Sequence, residues 1–289
     1  MTVVTDSTTI AVHVDAAPAA RYLGTDLTRD MTPTPIAATG LHVTRRTASG
    51  EPLASVVCIH GALDSARSFG RLARRLDDLQ VVAYDRRGYR ASRGVTLAAG
   101  LAVQVDDALE VVASVGSAPP VVMLGHSFGG LVALAAAARQ PSPPIAAIVV
   151  YEPPFPWLRE LPGDYHAPLG DDAAAEAEAF FSRIVGPASW DRLSEPERES
   201  RRLDGPALVE DLRVLRGPLP FELGDVAVPV VVGIGEDASS RRRDASATLA
   251  AAIPDATLVT VPRAGHGAHL SHPDRLAVLV YDAVRRAIT

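Results

Sequence analysis

Lysine and asparagine are missing from this chain, and all 28 basic residues are arginine. Without lysine there is no Schiff-base amine and no P-loop lysine, and without asparagine there is no Cys-His-Asn triad. Cysteine is nearly absent as well. The single Cys58 lies inside the apolar run 54–59, which excludes a disulfide framework and a cysteine-ligated metal and marks the thiol as a small core residue. The formal net charge of -6 argues against the basic footprint that nucleic acid requires. No stretch reaches membrane-spanning length, and the N-terminus has no charged segment followed by a long apolar run. A cytoplasmic protein with neither membrane nor nucleic-acid partners is therefore expected. What the chain does have is 289 residues, 47% of them hydrophobic, enough for one large α/β domain with an insertion.

Residues 1–38 are rich in Thr, Ala and Pro without sustained periodicity and read as a poorly ordered N-terminal extension. From Leu41 the chain alternates. Segments 41–46, 55–59, 81–84, 121–124, 145–150, 230–234 and 257–261 have the apolar, β-branched character of strands. Between them, Phe69, Leu72, Ala73 and Leu76 recur at helical spacing behind Asp64 as a candidate cap, and 97–115 carries a similar stripe. This alternation predicts a mainly parallel sheet covered on both faces, with its ligand crevice beyond the strand C-terminal ends. Between Pro153 and Asp225 the rhythm stops. A proline-rich opening (Pro153, Pro154, Phe155, Pro156, Trp157) precedes helical stretches near 173–185, 196–203 and 207–215. The segment 153–225 reads as a helical cap inserted between the two parts of the core, 39–152 and 226–289.

The most informative stretch is Leu124, Gly125, His126, Ser127, Phe128, Gly129, Gly130. An apolar strand runs into a glycine-flanked serine and then an alanine-rich helix, the arrangement of a nucleophile elbow. The elbow strains the serine backbone and brings strand and helix so close that side chains at Gly125 and Gly129 would collide. Ser127 is thereby the candidate nucleophile, and the Phe128 N–H at the helix start is a candidate oxyanion donor.

Three further motifs fall at strand ends. In His60, Gly61, Ala62 the glycine permits a sharp turn, so the Ala62 N–H is a candidate second oxyanion donor, while His60 braces the loop. The run Tyr84, Asp85, Arg86, Arg87, Gly88, Tyr89, Arg90, Ala91, Ser92 reads as a charged, hydrogen-bonded turn holding the crevice wall. In Ala264, Gly265, His266, Gly267, Ala268, His269, a histidine follows the last strand on a glycine-softened loop. Nucleophile first and histidine last is the expected triad order, which favours His266 as general base over His269 and His272.

Together, the H-G turn, the D-x-R-G turn, the G-H-S-F-G-G elbow and the terminal G-H resemble the alpha/beta hydrolase superfamily, in its helically capped branch, from about Leu41 to the C-terminus. The resemblance implies an α/β fold with a mostly parallel eight-stranded sheet, a Ser-His-acid triad and no cofactor. Two positions depart from the pattern. Arg90 stands where the D-x-R-G-x-G-x-S motif has its second glycine. In the turn after the penultimate strand, where members usually carry the acid as G-x-x-D, the chain reads Gly235, Glu236, Asp237, Ala238. Other members place the acid after the preceding strand, where this chain has Glu152. Glu152 is the preferred acid and Asp237 the alternative.

The activity implied is hydrolysis of a small-molecule ester, lactone or thioester through an acyl-enzyme. The same triad serves elimination, acyl transfer or C–C cleavage in biosynthetic pathways, and a non-catalytic ligand-binding protein on this fold is a further alternative. A serine at the elbow disfavours the dehalogenase and epoxide hydrolase chemistries of the superfamily, which use Asp there. The expected partner is a small-molecule substrate, with the chain a monomer or homodimer. Phe155, Trp157, Phe180, Phe181 and Trp190 are candidates for an apolar roof. No His/Asp/Glu set shows recognisable metal-ligand spacing, so no metal is expected.

Overall fold

The computed structural model describes residues 31–33, 39–116, 118–139, 141–158 and 169–288. Most of the N-terminal extension and the stretch 159–168 lie outside the described residues. Eight strands form: β1 (Thr32–Pro33), β2 (Val43–Arg46), β3 (Ser55–Ile59), β4 (Gln80–Tyr84), β5 (Val121–His126), β6 (Ala147–Tyr151), β7 (Val230–Gly235) and β8 (Ala256–Val261). They make one sheet in the order β1-β2-β4-β3-β5-β6-β7-β8. β2 pairs antiparallel with β1 and β4, and every other pairing is parallel. The mostly parallel eight-stranded sheet is as expected. The unanticipated strand is β1, where Thr32 and Pro33 of the N-terminal extension lie opposite Arg45 and Thr44.

The helices are α1 (Gly70–Ala73), α2 (Leu101–Val115), α3 (Phe128–Ala137), α4 (Ala173–Val185), α5 (Pro187–Asp191), α6 (Glu195–Leu203), α7 (Gly205–Arg216), α8 (Ser240–Ala252), α9 (Ala268–Ser271) and α10 (Pro273–Ile288). Both faces of the sheet are covered, so its central strands are apolar throughout rather than alternating. The period of two appears instead as a division between two cores. Val57, Ile59, Val82, Met123 and Val150 pack with α2 and α3 on one face. Val56, Cys58, Val81, Leu124 and Val149 pack with α1 and α10 on the other. Each such aliphatic side chain contributes about 1.5–3 kcal/mol on burial.

Asp64 does not cap the segment that follows it. Ser65 precedes the first helical turn there, and the Asp64 carboxylate is engaged elsewhere. Phe69, Leu72, Ala73 and Leu76 are all fully buried, as their spacing predicts. Between β6 and β7 lie α4 to α7. Asp172 caps α4 by accepting from the Ala174 and Ala175 amides at 2.9 and 3.2 Å, and α5, α6 and α7 each carry proline in the first turn, where the missing N–H costs nothing.

Two arginine clusters tie these helices to the sheet. Arg86, fully buried, donates from both Nη atoms to the Asp211 carboxylate at 3.0 and 2.6 Å, and the Tyr89 hydroxyl adds a third bond to Asp211 at 2.7 Å. Arg90, with a left-handed φ of 46°, donates its backbone N–H to Asp204 at 3.0 Å, while Arg93 Nε reaches the same carboxylate at 2.8 Å. The arginine that replaces a glycine in the motif therefore anchors α7 rather than reaching toward the elbow.

Candidate active site

The elbow is built by close approach. Ser127 sits between β5 and α3 at φ 51°, ψ -125°, a left-handed conformation that costs about 1–3 kcal/mol for a residue with a Cβ. A Cβ on Gly125 would lie 2.3 Å from the Gly129 carbonyl oxygen and 2.4 Å from the Gly130 Cα, and one on Gly129 would lie 2.1 Å from the Ile59 carbonyl oxygen. All three are backbone atoms that cannot step aside, so both positions require glycine. The Ser127 N–H donates to the Tyr151 carbonyl at 2.9 Å, and the Ser127 carbonyl accepts from Gly130 at 2.7 Å. Phe128 opens α3, so its N–H is one of the first-turn donors that no helical carbonyl reaches.

Glu152, just past β6, carries the second strained backbone of the site, with φ 46°. This turn aims a fully buried carboxylate at the loop after β8: Glu152 Oε2 lies 2.8 Å from His266 Nδ1. Oε1 accepts the Gly235 N–H at 3.1 Å, and Arg242 Nη1 approaches Oε2 to 3.5 Å. A carboxylate accepts, so the neutral His266 ring holds its proton on Nδ1 and keeps the Nε2 lone pair free. Burial acts to raise the Glu152 pKa, but the His266 and Gly235 bonds outweigh it and hold the group below the ordinary carboxylate range. For His266, burial dominates and the net shift is downward, opposed by the Glu152 bond. Asp237 is exposed in the turn after β7, where its backbone N–H donates to Ala264 at 3.0 Å. The histidine bond thus goes to Glu152 and not to Asp237.

The His266 loop is held from several sides. The Tyr151 hydroxyl donates to the Gly265 carbonyl at 2.9 Å, and His126 Nε2 lies 2.8 Å from the His266 carbonyl. His60, assigned from sequence to bracing its loop, is buried and does so: Nε2 accepts the Arg86 N–H at 2.8 Å and Nδ1 reaches the Gly61 carbonyl at 2.7 Å. Burial and the nearby Arg86 lower its pKa to about 3.

Ala62, Ser127, Phe128, Glu152 and His266 all line one cavity of about 730 Å³. Its far wall comes from the helices between β6 and β7. Phe155, Phe180 and Phe181 line it, but Trp157 and Trp190 do not. Trp157 donates to the Gly217 carbonyl at 2.7 Å, and Trp190 is buried against Phe181. Trp190 is thus interior to the helical layer, and Trp157, half-buried, takes its partner just past α7 rather than at the cavity.

Sequence spacing missed one group. Asp64 after β3, His126 at the end of β5 and His269 in α9 converge on the cavity wall, with one ligand atom from each within 4.8 Å of the others. Three separate segments contribute one residue each, so no local motif exists to find. Arg242 and Asp211 escaped notice for the same reason, being single residues on α8 and α7 brought in by the fold.

Residues 56–279 match the model of the alpha/beta hydrolase family, and the chain belongs to that family. It is 37% identical over 114 residues to the lipase LipV of Mycobacterium tuberculosis, a match covering 39% of this chain and 41% of that one. It is 30% identical over 190 residues to a pimeloyl-[acyl-carrier protein] methyl ester esterase of Aromatoleum aromaticum, covering 57% and 74% of the two chains. Among solved structures, an alpha/beta hydrolase from Sphaerobacter thermophilus superposes with a TM-score of 0.63 at 23% identity, covering 89% of this chain and all of that one. The family match and the names of the two curated relatives support a hydrolase of the alpha/beta family. Among the described residues, no helix is long and apolar enough to cross a membrane.

Proposed function

We propose that this hydrolase cleaves a small carboxylic ester, lactone or thioester through an acyl-enzyme formed on Ser127. His266 Nε2 takes the Ser127 proton as the hydroxyl attacks the carbonyl carbon, then gives it to the leaving group as the tetrahedral intermediate collapses. The N–H groups of Ala62 and Phe128 receive the oxyanion. Glu152 fixes the His266 tautomer and stabilises the imidazolium. Water, activated by the same histidine, releases the acid and restores Ser127.

The observation that carries this reading is the 2.8 Å bond between buried Glu152 and His266 Nδ1, in the same cavity as a serine on a strained elbow. A cavity of about 730 Å³ suits a small substrate. The names of two relatives, a lipase and a methyl ester esterase, agree with an ester substrate. Rapid mixing with p-nitrophenyl butyrate tests the proposal: a burst of about one nitrophenol per chain, followed by slower turnover, is expected. Absence of hydrolysis across short-chain esters, lactones and thioesters would overturn it.

A further inference from the structure

None of Asp64, His126 and His269 supplies a reacting atom in the proposed reaction, yet one potential ligand atom from each lies within 4.8 Å of the others. His126 and His269 are buried, their rings 4.2 Å apart. Asp64 Oδ2 lies 3.1 Å from His269 Nε2 and 4.0 Å from His126 Nδ1. All three residues line the cavity.

The hydrogen-bond roles of His126 are fixed by its partner. Its Nε2 lies 2.8 Å from the His266 carbonyl, and a carbonyl only accepts, so Nε2 carries the proton. In the neutral ring Nδ1 is then a bare lone pair, buried and without a hydrogen-bond partner among the described residues. Across 4.0 Å that lone pair meets the lone pairs of the Asp64 carboxylate. Two acceptors turned toward each other, with a second imidazole nitrogen alongside, form a donor set for a cation rather than a hydrogen-bonded pair. The remaining geometry fits this reading: a metal-binding histidine characteristically donates its other N–H to a carbonyl or carboxylate, as His126 does.

We propose that Asp64 Oδ2, His126 Nδ1 and His269 Nε2 form a binding site for a divalent transition-metal ion of the zinc class. Two imidazoles and one carboxylate match the ligand preferences of that ion and leave one tetrahedral position open toward the cavity. The ligand atoms, now within 4.8 Å of one another, close to the spacing set by metal bonds of about 2.0–2.2 Å. Binding moves the His269 proton from Nε2 to Nδ1, a change of tautomer with no net proton release. Nδ1 of that ring is buried and has no hydrogen-bond partner among the described residues, so the metal bond has to offset both the lost Nε2–H bond to Asp64 and an unpartnered N–H. The ion would also brace the loop carrying His266, since His269 lies three residues beyond it and His126 binds its carbonyl.

Titration of the full chain with Zn2+ by calorimetry, and with Co2+ by its visible d–d absorption, tests the site without reference to turnover. One ion per chain is expected, with the intense bands of a low-coordinate Co2+ centre. Asp64→Asn, isosteric with the carboxylate, and His269→Gln, which removes the imidazole, should each weaken binding about tenfold or more. His272→Gln, outside the cluster, should leave it unchanged. Absence of saturable binding to the wild-type chain would overturn the proposal, as would equal binding by the wild type and both folded cluster variants. Because the readout is binding, failure of the metal site leaves the hydrolase reading standing, and the reverse.

Discussion

Replacing Glu152 with Gln removes one charge from the site while preserving shape, and the structure defines what should follow. Both carboxylate oxygens are occupied: Oε1 by the Gly235 N–H at 3.1 Å and Oε2 by His266 Nδ1 at 2.8 Å. An amide offers one acceptor and one donor. If its oxygen keeps the Gly235 bond, its NH2 faces His266 and drives the ring proton to Nε2, the nitrogen that must accept the serine proton. If its oxygen instead turns to His266, the tautomer survives, but two N–H groups oppose each other at Gly235 and the imidazolium loses its counter-charge. Either arrangement weakens proton transfer. A carboxylate-to-amide change at this place in a serine-protease triad lowers kcat about 10⁴-fold, equivalent to about 5.4 kcal/mol of barrier. Steady-state kcat for a p-nitrophenyl ester, with circular dichroism to establish that the variant is folded, measures the effect. A loss of less than about tenfold, below 1.4 kcal/mol, would refute the role given to Glu152.

Ser127→Ala should abolish turnover with little change in Tm, because a single hydroxyl facing the cavity leaves almost no void; purified variant and wild type compared on the same ester decide this. His266→Ala should cost as much as Ser127→Ala, and the double variant hardly more, since groups that act as one unit are not additive; multiplicative losses in kcat would contradict it. Asp237→Asn should leave kcat near wild type, as its side chain is exposed and the His266 bond goes to Glu152. Asp211→Asn breaks a buried ion pair to the fully buried Arg86 and should cost about 3–5 kcal/mol of stability, read as a lowered midpoint in urea unfolding.

The elbow and the sheet were legible because their signals are local. Gly125 and Gly129 lie two positions either side of Ser127, and the collisions that require them involve atoms of the same turn or of the neighbouring strand. The helix over Ala173–Val185 was legible from composition and periodicity in the same way. Less was visible where one residue type has several uses. Asp64, at a plausible helix-cap position, points instead to His269, 205 residues away in the chain. Trp157 and Trp190 share a segment with Phe180 and Phe181, and only packing separates the indoles that find partners away from the cavity from the rings that line it. Glu152 and Asp237 follow adjacent strands of the sheet, so sequence could offer both. The choice between them rests on backbone conformation, the positive φ at Glu152, which no composition or spacing announces.

The central claim is that Ser127 is an activated nucleophile, and covalent labelling tests it most directly. Treatment of the folded wild-type chain with a fluorophosphonate, followed by intact mass and peptide mapping, should show one adduct per chain, located on Ser127. Labelling should be lost in Ser127→Ala and strongly slowed in His266→Ala. A wild-type chain that hydrolyses esters yet takes no label, or a Ser127→Ala variant that labels as fast as the wild type, would contradict the account.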